Sequence, residues 1–356
     1  MQKRNIAIIA VIVPLILILL AVAYFVVAKD SGANKPAKQE ITQPVTPPKP
    51  VKEVIKNPFT GLPGLSESAR GKRPVAVVIN NAPPARPQWG LTSSDLLVEG
   101  LAEGGVTRML AFYADVNAIP KVGSIRSARI DFVEMAENFD AIYVHWGSSE
   151  TGKQKIRRDG VDDIDGMHGQ YFKRDFSRNV PMEHTGYSTG EMIKQAISDK
   201  QFRTDLPNAK ELFFKFADKE QQGTNPCLEF SFAYSSVGYT YKYNSDDKRY
   251  YAYYEGAPQK SFEGEHLAFK NVILLYYPGH STINNQGSID MDLSAGTGII
   301  ASNGTYKEIT WKKGNTPNAR LKLYETTGAE IALNPGKNYL GLIPQNMQSS
   351  TVFTVQ

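Results

Sequence analysis

The feature that most constrains this chain is an apolar run near its start. Residues 6–28 carry no charged side chain and are interrupted only by Pro14. A helix needs about 20 apolar residues to cross a hydrocarbon core roughly 30 Å thick, so the run is long enough to span a membrane. Lys3 and Arg4 precede it and favour a cytoplasmic N-terminal stub. The sequence therefore predicts a stub (1–5), a transmembrane anchor (6–28) and a chain whose bulk is extracytoplasmic.

A cleaved signal peptide is the alternative to an anchor. Ala21, Val22 and Ala23 resemble a small-x-small cleavage site, but apolar residues continue to Ala28. The apolar region of a secretory signal peptide is typically about 7–15 residues long, which is shorter than this run. The length favours an uncleaved signal-anchor and a single-pass protein of the cell membrane.

The segment after the anchor has the composition of a spacer. Residues 29–57 are rich in Pro, Lys, Gln and Thr and cannot bury enough apolar surface to fold, so we predict a disordered linker. Much of the formal net charge of +4 lies in the stub and linker. Lysines near anionic lipid headgroups explain this charge better than nucleic-acid binding does. Cys227 is the only cysteine, which excludes an internal disulfide.

The first part of the globular region mixes strands with helices. Three short apolar runs are typical of buried strands: residues 74–79, 106–113 and 141–145. Helical spacing predicts one helix over 128–138, capped by Ser127, and a second that follows Ser188 or Thr189. The roughly 300 residues beyond the linker exceed the usual size of one domain. We therefore place an α/β domain at 58–223.

Alternating aromatic residues replace this mixed pattern in the rest of the chain. Tyrosines alternate over 239–243, residues 245–248 are typical of a turn, and 249–254 resume the alternation, which predicts a β-hairpin. Further strands are expected at 271–277, 307–311, 321–324 and 338–343. The sequence predicts a mostly β domain over 224–356.

A segment rich in arginine is the first candidate site. Ser-Ile-Arg-Ser-Ala-Arg at 124–129 places Arg126 and Arg129 at the predicted start of a helix, where backbone N–H groups and guanidinium groups both favour an anion. The alternative is that these arginines pair with acids such as Glu99 and Glu103 and only stabilise the domain. The predicted ligand-binding residues are Asn80, Arg108, Arg126, Arg129, Asp175 and Arg178.

Acid–base chemistry would need a histidine and an acid that meet in space. The candidates are Glu99, Glu103, His145 and His184. A solvated loop explains the composition around His184 equally well, and a histidine that ends an apolar strand, as His145 does, often belongs to the rim of a core. No zinc pattern, EF-hand loop or phosphate-binding glycine loop is present, so the sequence predicts neither a metal nor a cofactor.

Several motifs, in order along the chain, resemble one family. They lie at 57–63 (NPFTGLP), 73–80 (RPVAVVIN), 85–88 (ARPQ), 103–108 (EGGVTR), 123–129 (GSIRSAR), 175–184, 296–298 (GTG), 311–313 (WKK) and 333–336 (LNPG). Together they resemble the YerB family of bacterial envelope proteins. The resemblance implies a two-domain, surface-anchored protein typical of Gram-positive bacteria and supplies no catalytic residue. Members of the family are expected to be lipoproteins, whereas this chain has no cysteine after its apolar run and would use a transmembrane helix.

Three functions stay open at this point. The first is non-enzymatic binding of an anionic glycan, peptidoglycan fragment or lipid phosphate through the arginine-rich site. The second is an enzyme that acts on phosphate-linked or glycan envelope material, with arginines that stabilise charge in the transition state. The third is a scaffold whose β domain exposes the tyrosines of 239–254 to a protein partner.

Overall fold

The structure is a computed structural model and describes residues 54–235, 238–283, 287–314, 316 and 319–354. The predicted stub, the predicted anchor (6–28) and most of the predicted linker lie outside these ranges. Within them, no helix is both long enough and apolar enough to cross a membrane. Lys56, within the predicted linker, pairs with Pro63 in an isolated β-bridge.

Short strands provide most of the regular structure. Those of the N-terminal half are β1 (Val75–Asn80), β2 (Leu96–Leu101), β3 (Thr107–Tyr113), β4 (Val122–Gly123), β5 (Ile142–His145), β6 (Asp163–Asp165), β7 (Lys173–Arg174), β8 (Gly186–Ser188) and β9 (Lys215–Phe216). Those of the C-terminal half are β10 (Asn225–Pro226), β11 (Glu229–Ala233), β12 (Gly238–Asn244), β13 (Arg249–Tyr254), β14 (Ala257–Pro258), β15 (Ala268–Phe269), β16 (Asn271–Tyr277), β17 (His280–Thr282), β18 (Ile289–Met291), β19 (Ala295–Ser302), β20 (Thr305–Lys312), β21 (Lys322–Glu325), β22 (Ala332–Leu333), β23 (Asn338–Pro344) and β24 (Val352–Thr354).

The α-helices of the described residues all lie in the N-terminal half. They are α1 (Ile130–Asn138), α2 (Glu150–Asp159) and α3 (Gly190–Asp199). Short 3-10 helices occupy Glu67–Ala69, Pro83–Ala85, Leu91–Ser93, Val116–Ala118, Met182–His184 and Gln345–Ser350. The described chain is therefore mostly β with a few helices. The C-terminal half is mostly β, as predicted, and the N-terminal half mixes strands with the three helices.

Eleven of the described strands form one mixed sheet that runs through both halves. Its order is β10-β20-β19-β16-β23-β2-β3-β1-β5-β6, and β21 pairs with β20. The halves join where β2 lies parallel to β23, with Val98 opposite Leu340. The chain from Val54 onward forms one compact unit. The two halves thus share a sheet, and the boundary between 223 and 224 stays a prediction.

A second sheet packs on the first through aromatic side chains. Its order is β14-β13-β12-β11-β24, with β15 beside β13, and it contains the predicted hairpin β12–β13. Phe232 stacks on Tyr241 with ring centroids 5.9 Å apart, and Tyr241 in turn contacts Tyr339 of the large sheet at 5.2 Å. These rings are buried, so aromatic alternation builds a core. The remaining tyrosines of the hairpin, at 243, 251, 253 and 254, are half-buried, and none is fully exposed to a partner.

The observed helix boundaries show which local sequence signals were sufficient to predict where a helix begins. Helix α3 begins after Thr189, whose Oγ1 accepts a hydrogen bond from the Met192 N–H, as predicted. Helix α1 begins at Ile130, and the predicted cap Ser127 is wrong, because its hydroxyl donates to the Trp146 carbonyl instead. Helix α2 was not predicted, since only a few of its residues are buried and its pattern is dominated by charge.

Candidate functional site

A pocket of about 800 Å³ opens at one end of the large sheet. Strands β1, β5 and β6 run parallel, and the pocket lies beyond the carboxyl ends of β5 at His145 and β6 at Asp165. Crevices at the carboxyl ends of parallel strands are where open α/β sheets commonly bind ligands. The rest of the wall comes from residues 125–127, from helix α2 and from the loop that follows β6.

Cationic side chains dominate the wall of this pocket. Arg126, Lys153, Arg157, Arg174 and Lys200 all line it, and none of them forms an ion pair with a carboxylate among the described residues. Four acids also border the pocket, but two of them are already engaged by a histidine and by backbone N–H groups. The wall therefore offers more uncommitted positive than negative charge.

Arg126 is the predicted residue that the structure places in the pocket with a free guanidinium. Its backbone is fixed, because its N–H donates to the Val78 carbonyl at 3.0 Å and its own carbonyl accepts from the Trp146 N–H at 3.0 Å. Its half-buried guanidinium has no hydrogen-bond or ion-pair partner in the part of the chain that the structure describes. A partly buried cation without a partner is costly, and an anion would supply the missing contacts.

The other two arginines of the predicted cluster are committed to Glu103. The Nη2 atoms of Arg108 and Arg129 each lie 2.5 Å from Glu103 Oε1, and Arg129 Nε lies 2.8 Å from Oε2. Burial alone would raise the pKa of Glu103, but the hydrogen bonds and charges of the two arginines outweigh it and hold the pKa below its usual range. Burial and the neighbouring charge of Arg129 lower the pKa of Arg108 to about 9. Arg129 therefore follows the alternative stated from the sequence, in which the arginines pair with acids and stabilise the domain. Arg108 makes the same kind of contact.

His145 lines the pocket with both ring nitrogens engaged. Nε2 lies 3.0 Å from Asp163 Oδ2, and Nδ1 lies 2.8 Å from the Gly147 carbonyl. Asp165 Oδ1 accepts from the backbone N–H of Gly147 at 2.8 Å and from that of Met167 at 2.9 Å, which fixes the same turn. The ring is 1% exposed. His145 therefore shapes the wall and has no free nitrogen with which to transfer a proton to a ligand.

His184 and Asn80 form a buried pair beside the pocket. Asn80 Nδ2 donates to His184 Nδ1 at 2.8 Å, which makes this nitrogen an acceptor and leaves the proton of the neutral ring on Nε2. Burial lowers the pKa of His184, and the charges of Arg126 and Arg178 lower it further against the opposing charge of Glu183. Glu183 reaches the pocket wall, whereas neither member of the pair does.

Asp175 and Arg178 make structural contacts outside the pocket. Asp175 forms an ion pair with Lys121 and accepts from the Ser177 N–H at 2.9 Å, and both interactions hold its pKa well below the usual range. The Arg178 guanidinium donates to the four backbone carbonyls of residues 84–87. Arg178 thus fixes the turn that follows β1, and both of its Nη atoms are occupied.

Glu99 is buried in β2 and lies away from the pocket. Its Oε1 accepts from Tyr239 OH at 2.6 Å, from Thr107 Oγ1 at 2.6 Å and from Asn81 Nδ2 at 2.8 Å, while Oε2 accepts from Tyr339 OH at 2.8 Å. Burial raises the pKa of Glu99, and these hydrogen bonds oppose the rise. The carboxylate links the two halves of the chain, and nothing is left free on it for chemistry.

A serine motif near the pocket is structural as well. Residues 186–190 have the Gly-x-Ser-x-Gly spacing of a nucleophile elbow and connect β8 to α3. Ser188 is buried, its hydroxyl donates to the Tyr171 carbonyl at 2.8 Å, and it is not among the described residues with a positive φ. An elbow needs an exposed nucleophile on a strained turn, so Ser188 does not act as one. Among the described residues no group of three or more His, Cys, Asp or Glu side chains is placed to hold a metal ion.

Comparisons with known proteins identify the family. Sequence models of a family described as "Protein of unknown function (DUF3048)" match residues 59–203 with its N-terminal domain and 228–340 with its C-terminal domain. The chain is also 31% identical over 298 residues to the "Putative lipoprotein YerB" of Bacillus subtilis (strain 168), covering 82% of this chain and 86% of that protein. The chain belongs to this YerB-like family. The crystal structure of YerB protein from Bacillus subtilis superposes with a TM-score of 0.74 at 30% identity, over 85% of this chain and 100% of that one.

Much of the pocket wall of this YerB-like chain was missed from the sequence. The missed residues are Trp146, Lys153, Arg157, His168 and Arg174. A local signal could have revealed the two on helix α2, Lys153 and Arg157. Ser149 caps this helix by accepting a hydrogen bond from the Gly152 N–H, and strand β5, which precedes the helix, ends at the pocket. His168 has no side-chain partner among the residues that the structure describes, so its ring is available to a ligand.

Proposed function

We propose that this protein is a membrane-attached protein of the cell envelope that binds an anionic ligand in the pocket beside β5, β6 and α2. The ligand would carry phosphate or carboxylate, as a lipid phosphate, an anionic glycan or a peptidoglycan fragment does. Membrane attachment is supported by the relative that is called a lipoprotein and by the predicted anchor at 6–28. The observation that carries the binding is the set of pocket cations without carboxylate partners.

Several properties of the pocket suit such a ligand. Its volume of about 800 Å³ falls within the roughly 300–1,000 Å³ of small-molecule sites. Arg126 can grip phosphate or carboxylate with two parallel hydrogen bonds, and the N-terminus of α2 adds positive potential at the same wall. The half-buried Trp146, over which Arg174 lies 4.2 Å from the ring centroid, adds an apolar surface to the same wall.

The first prediction concerns Arg126 and a simple phosphate probe. Inorganic pyrophosphate should raise the melting temperature of residues 54–356, because a ligand at about 100 times its Kd stabilises the native state by roughly 2.7 kcal/mol. Arg126→Ala should weaken binding about tenfold or more, the effect of losing a charged hydrogen bond. Its melting temperature without ligand should stay unchanged, since the guanidinium has no structural partner. Differential scanning fluorimetry and calorimetric titration measure both quantities.

Two neighbouring arginines on α2 provide a matched control. Arg157 lines the pocket, whereas Arg158 is 66% exposed and pairs with Asp159 outside it. Arg157→Ala should weaken pyrophosphate binding, and Arg158→Ala should leave it unchanged. If wild type and Arg126→Ala respond equally to pyrophosphate, or if neither pyrophosphate nor N-acetylmuramic acid shifts the wild type, the proposed site is wrong.

A second prediction uses tryptophan fluorescence to locate the ligand. Trp89 and Trp311 are 1% and 2% exposed, while Trp146 is half-buried in the pocket wall. Iodide should therefore quench Trp146 selectively, and a ligand in the pocket should reduce that quenching. Trp146→Phe should abolish the quenchable fraction in both states. Quenching that a bound ligand leaves unchanged would place the ligand elsewhere.

An enzyme acting on phosphate-linked material remains the second candidate. The observation that favours it is the presence in one pocket of Arg126, His168 and Glu183, the last two being acid–base groups without a side-chain partner among the described residues. This replaces the acid–base residues expected from the sequence, all of which are engaged elsewhere or lie outside the wall. Release of phosphate from bound pyrophosphate, lost in His168→Ala while binding persists, would establish turnover.

A further inference from the structure

The loops around the pocket expose an unusual group of large apolar side chains. Phe176, Met167 and Met182 are 71%, 64% and 61% exposed. Single exposed apolar residues are normal on any protein surface. These three differ because they fall within one stretch of chain between residues 167 and 182, whereas the other large exposed apolar residues of the described chain are scattered from Val54 to Val352.

All three residues belong to segments that contribute to the wall of the pocket already described. Met167 is part of its wall. Met182 precedes the wall residue Glu183, and its carbonyl accepts a hydrogen bond from Nη1 of the wall residue Arg174 at 2.6 Å. Phe176 lies two residues beyond Arg174 in the same loop. We call Met167, Phe176 and Met182 the apolar rim, because the first lines the cationic pocket and the other two belong to the loop between its wall residues Arg174 and Glu183.

Cations adjoin part of this rim in the chain and also line the pocket. Lys173 is exposed at the start of the same loop, next to Arg174. Lys153, Arg157 and Lys200 line the pocket. Exposed apolar side chains among Lys and Arg are the combination by which proteins bind the surface of an anionic membrane, since the apolar groups enter the headgroup region and the cations attract anionic lipid.

We propose that the ligand of the pocket is the phosphate headgroup of a membrane lipid, held while the apolar rim enters the surface of the bilayer. This inference rests on the proposed anion-binding function and names the source of the anion. A soluble phosphate or glycan would satisfy the cations but would leave the rim in water. A lipid in a bilayer matches both features, and the predicted anchor at 6–28 would keep the pocket near a membrane.

The test separates the rim from the pocket. Residues from Val54 onward form one compact unit with its own core, so this unit can be studied without the predicted anchor. It is mixed with vesicles of pure phosphatidylcholine or of phosphatidylcholine with phosphatidic acid, and the bound fraction is measured by co-sedimentation. The variants are Phe176→Ser/Met182→Ser for the rim, Arg126→Ala for the pocket and Leu228→Ser/Val352→Ser as a control. The control residues are exposed apolar side chains elsewhere on the surface, at 47% and 59% exposure.

The wild type and the control should bind phosphatidic acid vesicles, and pyrophosphate should compete with that binding. The rim variant should bind them about tenfold more weakly or worse, because it loses apolar area that the membrane buries, and should keep its melting-temperature shift with pyrophosphate. Arg126→Ala should bind phosphatidic acid vesicles no better than it binds vesicles of pure phosphatidylcholine. A rim variant that binds vesicles like wild type overturns the lipid inference, while a normal pyrophosphate shift in the same protein leaves the proposed function intact. If the wild type shows no pyrophosphate shift and binds vesicles independently of Arg126, both proposals fail.

Discussion

Glu99→Ala is expected to lower the free energy of unfolding of residues 54–356 by about 4 kcal/mol, the range found when a buried charged group and its partners are separated. Glu99 is 0% exposed and accepts hydrogen bonds from two tyrosines, a threonine and an asparagine. Alanine would leave these four donors without their acceptor in a site that water does not reach. It would also create a cavity between β2 and the aromatic side chains that cover it.

Urea unfolding followed by circular dichroism measures this loss as a shift of the midpoint. Glu308→Ala is the matched control, because Glu308 is exposed on β20 and its removal should change stability by less than about 0.5 kcal/mol. Tyr339→Phe removes one donor and should cost about 1–2 kcal/mol. A loss for Glu99→Ala that is no larger than that of the control would show that the network contributes no net stability.

The position of Glu99 gives the network a role in joining the halves. Tyr239 belongs to the small sheet, Tyr339 to β23 of the large sheet, and Glu99 to β2 of the N-terminal half. Since β2 and β23 are also direct neighbours in the large sheet, the two halves should unfold together. The same contacts explain why no catalytic role is left for Glu99, which the sequence alone presented only as an acid near arginines.

The strands were predictable because their signal is local. The apolar run at 271–277 coincides with β16, and the hairpin of β12 and β13 follows directly from alternating tyrosines on either side of a turn. Strand β16 is buried at every residue and therefore reads as a continuous apolar run, whereas β12 and β13 bury alternate residues and therefore show a period of two. Helix α2 was invisible because few of its residues are buried, so its pattern carries no apolar stripe.

The site was only partly predictable, because partner choice is a tertiary property. Arg126 and Arg129 are three residues apart in the same motif, yet one faces the pocket and the other pairs with Glu103. Their neighbours in sequence do not decide between these outcomes. The pocket itself depends on the parallel order of β1, β5 and β6, which long-range pairing sets.

Asp131→Asn is expected to stabilise the protein in alkaline solution and to leave it nearly unchanged in acid. Asp131 lies in α1 and is 1% exposed, its Oδ1 accepts from the Met291 N–H at 2.7 Å, and its Oδ2 has no partner among the described residues. Burial raises the pKa of Asp131 to about 8, and the charges of Asp290 and Glu134 add to the rise. The native state therefore holds this carboxyl neutral where the unfolded chain, with a pKa near 3.9, has already ionised it.

The sign of the pH dependence follows from this difference. A folded pKa above the unfolded one contributes stability that is complete below about pH 4 and is lost as the pH rises through about 8. Asparagine has no proton to lose, so the stability of Asp131→Asn relative to wild type should rise by about 4 kcal/mol between pH 5 and pH 9. Urea unfolding at both pH values gives the difference in free energy of unfolding between Asp131→Asn and wild type. The other titrating groups are common to both proteins, so their contributions cancel in this difference. Asp246→Asn, at an exposed turn, should show no such pH-dependent gain. If the advantage of Asp131→Asn over wild type is the same at both pH values, Asp131 is already ionised in the native state and the helix tolerates its charge.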